Sequence, residues 1–480
     1  MDYLKKRGKR FWLRAGTSLA VAAAAAGIVA TTAVGRSGAA TPVRIGILTD
    51  CQGAFGAWYE RDIEGAQAAL AQYIPGMKPK DPNKGSAGMT TGNLDGHPVS
   101  VVGYGCGNDR ADTAIKETRR LMEQLHANVL IGPLSGDESI AVANYAKAHP
   151  QWTFINGTAG AQDTTLKVRA PNFFRFNGDG AQWNAGTADI AYRLEHWRKA
   201  AAIMDDYSFA WTSAAGFIAE FCAVGGKITA RSFPPLNTTD YSSFVRQLPP
   251  PSQVDGYFWA VGGSGLIPSL KAFEQAYGPL DGKQFAGNLF WGVPGSFQAL
   301  GTRVANALVG GFGTAGDLKT AAAKKYAAIV DRWYKKDPPF PGSTASGAAD
   351  GFLYNYFNAA WALTIALRQT KGDPSPKPLW KALSKVVLHA GYGTISLDKN
   401  RNAIQDQFVQ QLYLDNGKLN IRTIAYVPKV DQTFGGTFSS STPPPGRTFP
   451  PCKKRSLPWA GKERAVVNGV ITSKVISKLP

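Results

Sequence analysis

The sequence predicts an α/β protein built as two lobes, and three observations carry that expectation. The chain has 480 residues, more than one hydrophobic core accommodates. Short β-rich runs alternate with stretches of helical periodicity from Val43 to Asn156, the pattern of a parallel sheet covered by helices. The same alternation then starts again between Trp183 and Phe290. A composition of 44% hydrophobic and 18% charged residues suits a globular chain rather than a disordered one.

Each element follows from its own pattern. Val43–Thr49 is a β-rich run that ends in the turn chemistry of Asp50-Cys51-Gln52-Gly53. Ala66, Ala69, Leu70 and Tyr73 then recur at helical spacing. A Pro/Gly/Lys-rich insertion spans residues 74–96, ahead of a strand at 99–104 and a helix expected over 110–126. Strands at 129–132 and 152–156 flank a helix at 139–149. In the second half, helices are expected at 183–195, 211–224, 242–248 and 265–276. Strands alternate with them at 200–204, 227–230, 256–261 and 284–290. Longer helices at 321–336 and 349–368 precede strands at 393–397 and 407–415. Beyond Lys429 the composition turns to Thr, Ser, Gly and Pro, which predicts a basic extension (431–480) with little core of its own.

The formal net charge of +19 does not mark a nucleic-acid platform. Residues 1–40 and residues 431–480 each carry +6 of it, leaving +7 for the body. Lys5, Lys6, Arg7, Lys9, Arg10 and Arg14 precede an uncharged run from Ala15 to Val34 and the small residues Gly38, Ala39 and Ala40. That is the layout of an export signal, while the run is also long enough to remain as a membrane anchor. Either way the body is expected in the periplasm or at the cell surface. The four cysteines, Cys51, Cys106, Cys222 and Cys452, fit no zinc spacing, and no metal or cofactor is expected. Cys51 and Cys106 end the first two long strands, so a disulfide between them is expected, with a catalytic thiol as the alternative. Cys222 and Cys452 would then tie down the tail.

In this order the elements resemble the branched-chain amino-acid (Leu/Ile/Val) binding proteins of ABC transporters, which have the type 1 periplasmic-binding fold. Four dispersed pieces over residues 43–430 carry the resemblance. They are Arg44-Ile45-Gly46-Ile47-Leu48 with Glu64-Gly65-Ala66, and Val129 to Ser135 ahead of a small-residue helix. Asp206-Tyr207-Ser208-Phe209-Ala210 after a strand is the third, and Gly391 to Asn400 with Val409 to Tyr413 is the fourth. The resemblance implies three crossings that act as a hinge. Lobe 1 would comprise 43–177 and 305–390, and lobe 2 would comprise 178–304 and 391–430, with the ligand in the cleft between them.

The same resemblance nominates site residues, each with a plainer alternative. Ser135 and Gly136 open a helix whose unpaired N–H groups suit a carboxylate, or Ser135 or Asp137 is simply a helix cap. Thr158 and Ala159 would form a second contact loop, or an ordinary Gly-rich turn. Trp58 would wall the cleft, or fill the core. From lobe 2, Phe209 stands where the family has tyrosine, and Ser264 follows Gly262-Gly263. Where the amino-acid binders place an acid for the ligand ammonium, this chain has Asn288-Leu289-Phe290-Trp291. A buried ammonium without a partner is costly, so an acid or amide with an aromatic or aliphatic body suits Trp58, Phe209 and Trp291 better, unless Asp137 or Glu138 supplies the charge. G-x-S-x-G, Walker and H-E-x-x-H motifs are absent, which argues against an enzyme. The expected function is a monomeric solute-binding protein that hands a small molecule to a membrane permease. The alternative is a ligand-sensing receptor without a transport role.

Overall fold

The computed structural model describes residues 40–287, 299–334 and 350–478. The signal-or-anchor run at 15–34 and the predicted contact Trp291 lie outside them. Among the described residues no helix is long and apolar enough to cross a membrane.

Lobe 1 is built on a six-stranded sheet in the order β2-β3-β1-β4-β5-β6. Its strands are β1 (Val43–Asp50), β2 (Gly92–Leu94), β3 (His97–Gly107), β4 (Val129–Ile131), β5 (Thr153–Ile155) and β6 (Phe173–Phe174). All pairings are parallel except the hairpin β2–β3, which the insertion contributes and periodicity did not foretell. Helices α1 (Tyr59–Tyr73), α2 (Ala111–Arg119) and α3 (Gly136–Ala148) connect the strands. The helix expected over 110–126 changes to a π turn at Arg120–Gln124.

Lobe 2 carries α4 (Thr187–Arg193), β7 (Lys199–Met204), α5 (Ser208–Val224), β8 (Lys227–Ser232), α6 (Ser242–Val245), β9 (Gly256–Ala260), α7 (Leu266–Tyr277), β10 (Phe285–Gly287) and β11 (Leu308–Gly310). The chain then returns to lobe 1 with α8 (Ala321–Trp333), α9 (Gly351–Gln369) and α10 (Pro376–Leu383). It leaves again through β12 (Leu388–Ala390), β13 (Gly393–Leu397), β14 (Ala403–Asp415) and β15 (Lys418–Val430). With β16 (Arg464–Val467) and β17 (Val470–Val475) from the C-terminal segment, lobe 2's strands run β17-β16-β15-β14-β11-β10-β9-β7-β8. The order mixes a parallel half, β11 to β8, with an antiparallel half from β14 to β17.

The segment expected to be a solvated extension is instead packed. Phe434, Phe438, Leu457 and Trp459 are buried against Ala215 and Ala219 of α5, and β16 (Arg464–Val467) and β17 (Val470–Val475) extend the sheet. Cys222 and Cys452 stand at disulfide distance, with Cα atoms 5.1 Å apart, as do Cys51 and Cys106 at 5.0 Å. Trp459 also donates its indole N–H to the buried Glu220. Composition misled here because the aromatic residues that anchor the segment are few and widely spaced among Gly and Pro.

Candidate functional site

The cleft begins with two equivalent strand ends, one in each lobe. In lobe 1, β4 runs into Gly132, whose φ of 130° lies in the left-handed region that glycine tolerates. A side chain there would strike the Leu48 carbonyl. The turn delivers Ser135 to the start of α3 in extended backbone, with no side-chain cap hydrogen bond. The plain capping reading of Ser135 therefore fails. Its hydroxyl is buried and has no partner among the described residues, beside the first N–H groups of α3, which have no acceptor inside the helix. In lobe 2, β7 leads through Asp205 and Tyr207 to α5, and Tyr207 is again extended (φ −152°, ψ 167°). Asp205 fixes that turn by accepting the Gly262 N–H at 2.9 Å.

These two helix starts face each other. A Cβ on Gly136 would come within 2.7 Å of Ser208 Oγ and 2.8 Å of Phe209 N, so only glycine lets the lobes meet here. Ser208 N donates to Asp137 Oδ1 at 3.1 Å, and Ser264 N donates to the Ala54 carbonyl at 3.1 Å. Both bonds join one lobe to the other.

Between the helix starts lies a cavity with about 20 Å3 of water-accessible space, room for about one water molecule while the lobes are together. Ser135, Gly136, Thr158, Gly160 and Leu134 line its lobe-1 side. Aromatic rings enclose the rest in a closed circuit of contacts. Ring centroids are 6.1 Å apart for Phe55–Tyr207, 5.9 Å for Tyr207–Phe209 and 5.7 Å for Phe209–Trp183. The circuit continues through Trp183–Phe312 at 4.4 Å, Phe312–Phe352 at 5.5 Å, Phe352–Trp58 at 4.5 Å and Trp58–Phe55 at 5.9 Å. No charged side chain lines the cavity among the described residues.

The expected contacts sort themselves accordingly. Ser135, Gly136, Thr158 and Phe209 line the cavity together. The Thr158 hydroxyl, however, donates to the Phe352 carbonyl at 3.2 Å and has no proton to spare. Trp58 is fully buried behind the wall, stacked on Phe352, which takes the place expected for it. Ala159 is buried in the loop beside the lining, where its carbonyl accepts from Asn156 Nδ2 at 3.0 Å. Ser264 is exposed and contributes its backbone to the lobe contact rather than its hydroxyl to the cavity. Phe55, Trp183, Tyr207, Phe312 and Phe352 were not foreseen. Phe312 and Phe352 sit on chain that returns between the lobes, far in sequence from any cleft motif, and no local pattern singles them out.

The two acids held in reserve as ammonium partners are both engaged elsewhere. Asp137 bonds across the cleft. Glu138 turns away, fully buried with Asp50 and Asp109 behind the α3 start, and accepts the Asn108 N–H at 3.2 Å. Burial, together with the charge of Asp109, pushes Glu138 up to about 7. Burial and the charge of Asp50 push Asp109 up to about 9. Asp50 is raised by burial and then by Glu138. This cluster holds protons that isolated carboxylates would have lost. Among the described residues, no group of three or more His, Cys, Asp or Glu side chains could hold a metal ion.

Comparison with known proteins bears on the fold. An ABC transporter substrate-binding protein from Sphaerobacter thermophilus superimposes with a TM-score of 0.65 at 20% identity, covering 82% of this chain and 99% of that one. A solute binding protein of an ABC transporter from R. palustris, solved in complex with benzoate, gives 0.62 at 19% identity, covering 80% and 97%. A leucine binding protein from Thermotoga maritima gives 0.62 at 17% identity, covering 80% and 99%. At these identities the likeness is one of fold. No curated protein matches the chain in sequence. The periplasmic binding protein family model, however, matches residues 42–418, and the chain belongs to that family.

Proposed function

We propose that the protein is the extracytoplasmic solute-binding component of an ABC-type importer, and that its ligand is a small carboxylic acid with an aromatic or similarly flat apolar body. The observation that carries this reading is the cavity's division of labour. A free hydroxyl and a helix N-terminus on one side suit a single carboxylate, and a closed circuit of aromatic rings suits a flat apolar body. An α-amino acid fits poorly, because its ammonium would need a carboxylate partner. The described lining has none, and residues 288–298 contain no Asp or Glu in their sequence. Several similar structures are complexes with benzoate or hydroxylated benzoic acids, which supports an aromatic acid, while a leucine binding protein shares the fold.

In this reading the ligand's carboxylate seats on Ser135 and the α3 N-terminus while its body is enclosed by the rings. The lobes close over it, and a permease in the membrane recognises the closed form. Calorimetric titration of the purified protein with benzoate, 4-hydroxybenzoate, benzamide, phenylalanine and leucine tests the assignment. Binding of the acids, with benzamide and the amino acids weaker by tenfold or more, is expected on the scale of one charge-assisted hydrogen bond. Tight binding of leucine or phenylalanine overturns the ligand class.

A further inference from the structure

The bond between Asp137 and the start of α5 crosses the cleft. Asp137 is the second residue of α3 in lobe 1, and its Oδ1 accepts the N–H of Ser208, the first residue of the 17-residue α5 in lobe 2. A carboxylate at a helix N-terminus is attracted both by the unpaired N–H groups and by the helix dipole. Donor and acceptor belong to different lobes, so the contact exists only while the lobes are together. It occupies the lobe-2 helix start with the protein's own anion. Of the two facing helix N-termini, this leaves the α3 end, with the unpartnered Ser135 hydroxyl, for an anion from outside.

We infer that Asp137 is a positioning residue that latches the closed cleft: it caps α5 across the lobes, slows ligand release, and confines a ligand carboxylate to the Ser135 side. The inference rests on the binding function proposed above and deepens it. The latch acts on the lobe equilibrium, so its effect is present with or without ligand.

The donor can be deleted at little cost to α5 itself. Ser208 is the first helical position, where proline is well tolerated and removes only an N–H that the helix does not use. Tyr207 before it is already extended, as a residue preceding proline must be. The Ser208 hydroxyl, lost in the same change, has no partner among the described residues. The test measures benzoate release by stopped-flow tryptophan fluorescence for the wild type, Asp137→Asn, Asp137→Ala, Ser208→Pro and the Asp137→Ala/Ser208→Pro double variant. Small-angle scattering of each ligand-free protein supplies a second measurement.

Release about tenfold faster is expected in Asp137→Ala and in Ser208→Pro, with the double variant no faster than either single. Asp137→Asn, which keeps an acceptor but no charge, falls between them and the wild type. The ligand-free radius of gyration rises in the same order, and melting temperatures stay near that of the wild type. Wild-type release in Asp137→Ala, or effects that add in the double variant, overturn the latch. If Ser208→Pro does not fold, the ordering of wild type, Asn and Ala decides alone. If the wild type does not bind benzoate, the ligand assignment falls and the scattering decides the latch: a larger radius in Asp137→Ala supports it, and an unchanged radius overturns it.

Discussion

The two faces of the cleft are built from the same structural device and finished differently. On each, a parallel strand ends in a turn that leads into a helix pointing its N-terminus at the cleft: β4 to α3 in lobe 1 and β7 to α5 in lobe 2. Lobe 1 then places small and hydroxylic residues at the cavity, namely Ser135, Gly136, Thr158 and Gly160. Lobe 2 places Tyr207 and Phe209 there and leaves its helix start to Asp137 from the other side. The difference assigns separate tasks. In the proposed function, lobe 1 would select chemistry through polar groups held by short, buried turns, with Phe55 and Phe352 of the same lobe lining the cavity beside them, whereas lobe 2 would add the apolar cover of Trp183, Tyr207 and Phe209 on closure. Changes on the lobe-1 face should alter which ligands bind, and changes on the lobe-2 face should alter how long any ligand stays.

The largest effect should come from a position where the faces meet with no room for a side chain. Gly136→Val puts branched carbon where Ser208 and Phe209 already stand, so the lobes cannot meet without displacement. Overpacking at such a contact costs up to about 3 kcal/mol, which predicts a loss of affinity of about 100-fold with folding intact. Titration with benzoate measures it. Near-normal affinity would mean that ligand binding does not require the lobes to meet at this point.

Two truncations then separate the tasks. Phe209→Ala removes a ring that contacts Tyr207, Trp183 and Phe312. Affinity for all ligands should fall by roughly 10- to 100-fold, mainly through faster release, since buried aromatic truncations cost about 3–5 kcal/mol in cores and part of that falls on the free protein. Ser135→Ala deletes a single hydroxyl. It should cost about tenfold for acids and much less for the matching amides. The ratio of acid to amide affinity is therefore the sharper measurement. If Phe209→Ala changed that ratio and Ser135→Ala did not, the assignment of selection to lobe 1 would be reversed.

The legibility of this arrangement in the sequence follows the same division. Strand, turn and helix order was readable because each turn carries its own local chemistry, so Ser135, Gly136 and Phe209 could be placed from motifs. The aromatic circuit was not readable. Trp183, Phe312 and Phe352 reach the cavity from well-separated stretches of chain, and only folding brings them within 4.4–5.5 Å of one another along Trp183–Phe312–Phe352. Trp58 shows the converse error. Its place in sequence was near enough to the cleft, but Phe352 lies between it and the cavity. The C-terminal segment misled for a third reason: a handful of anchors, Phe434, Phe438, Leu457 and Trp459, suffice to fix about fifty residues whose average composition is that of a linker.

The smallest effect concerns protons rather than ligand, and it sets the lobes side by side once more. Lobe 1 buries Glu138 and Asp109, raised to about 7 and about 9, behind the α3 start. Lobe 2 buries Glu220 and Glu463, raised to about 8 and about 9, where the C-terminal segment docks. In all four, burial is the main cause, and in the folded state each keeps a proton that the unfolded chain releases near pH 4. The stability they contribute is therefore complete below about pH 4 and is lost as pH rises through 7 to 9. The melting temperature should fall by a few degrees from pH 5 to pH 9. Glu138→Gln should flatten that slope below about pH 7, and Glu463→Gln over its whole length up to about pH 9. A melting temperature that held steady or rose over this range in the wild type would show that the clusters are ionised in the folded protein. A slope altered by only one of the two variants would assign the proton-linked stability to that lobe alone.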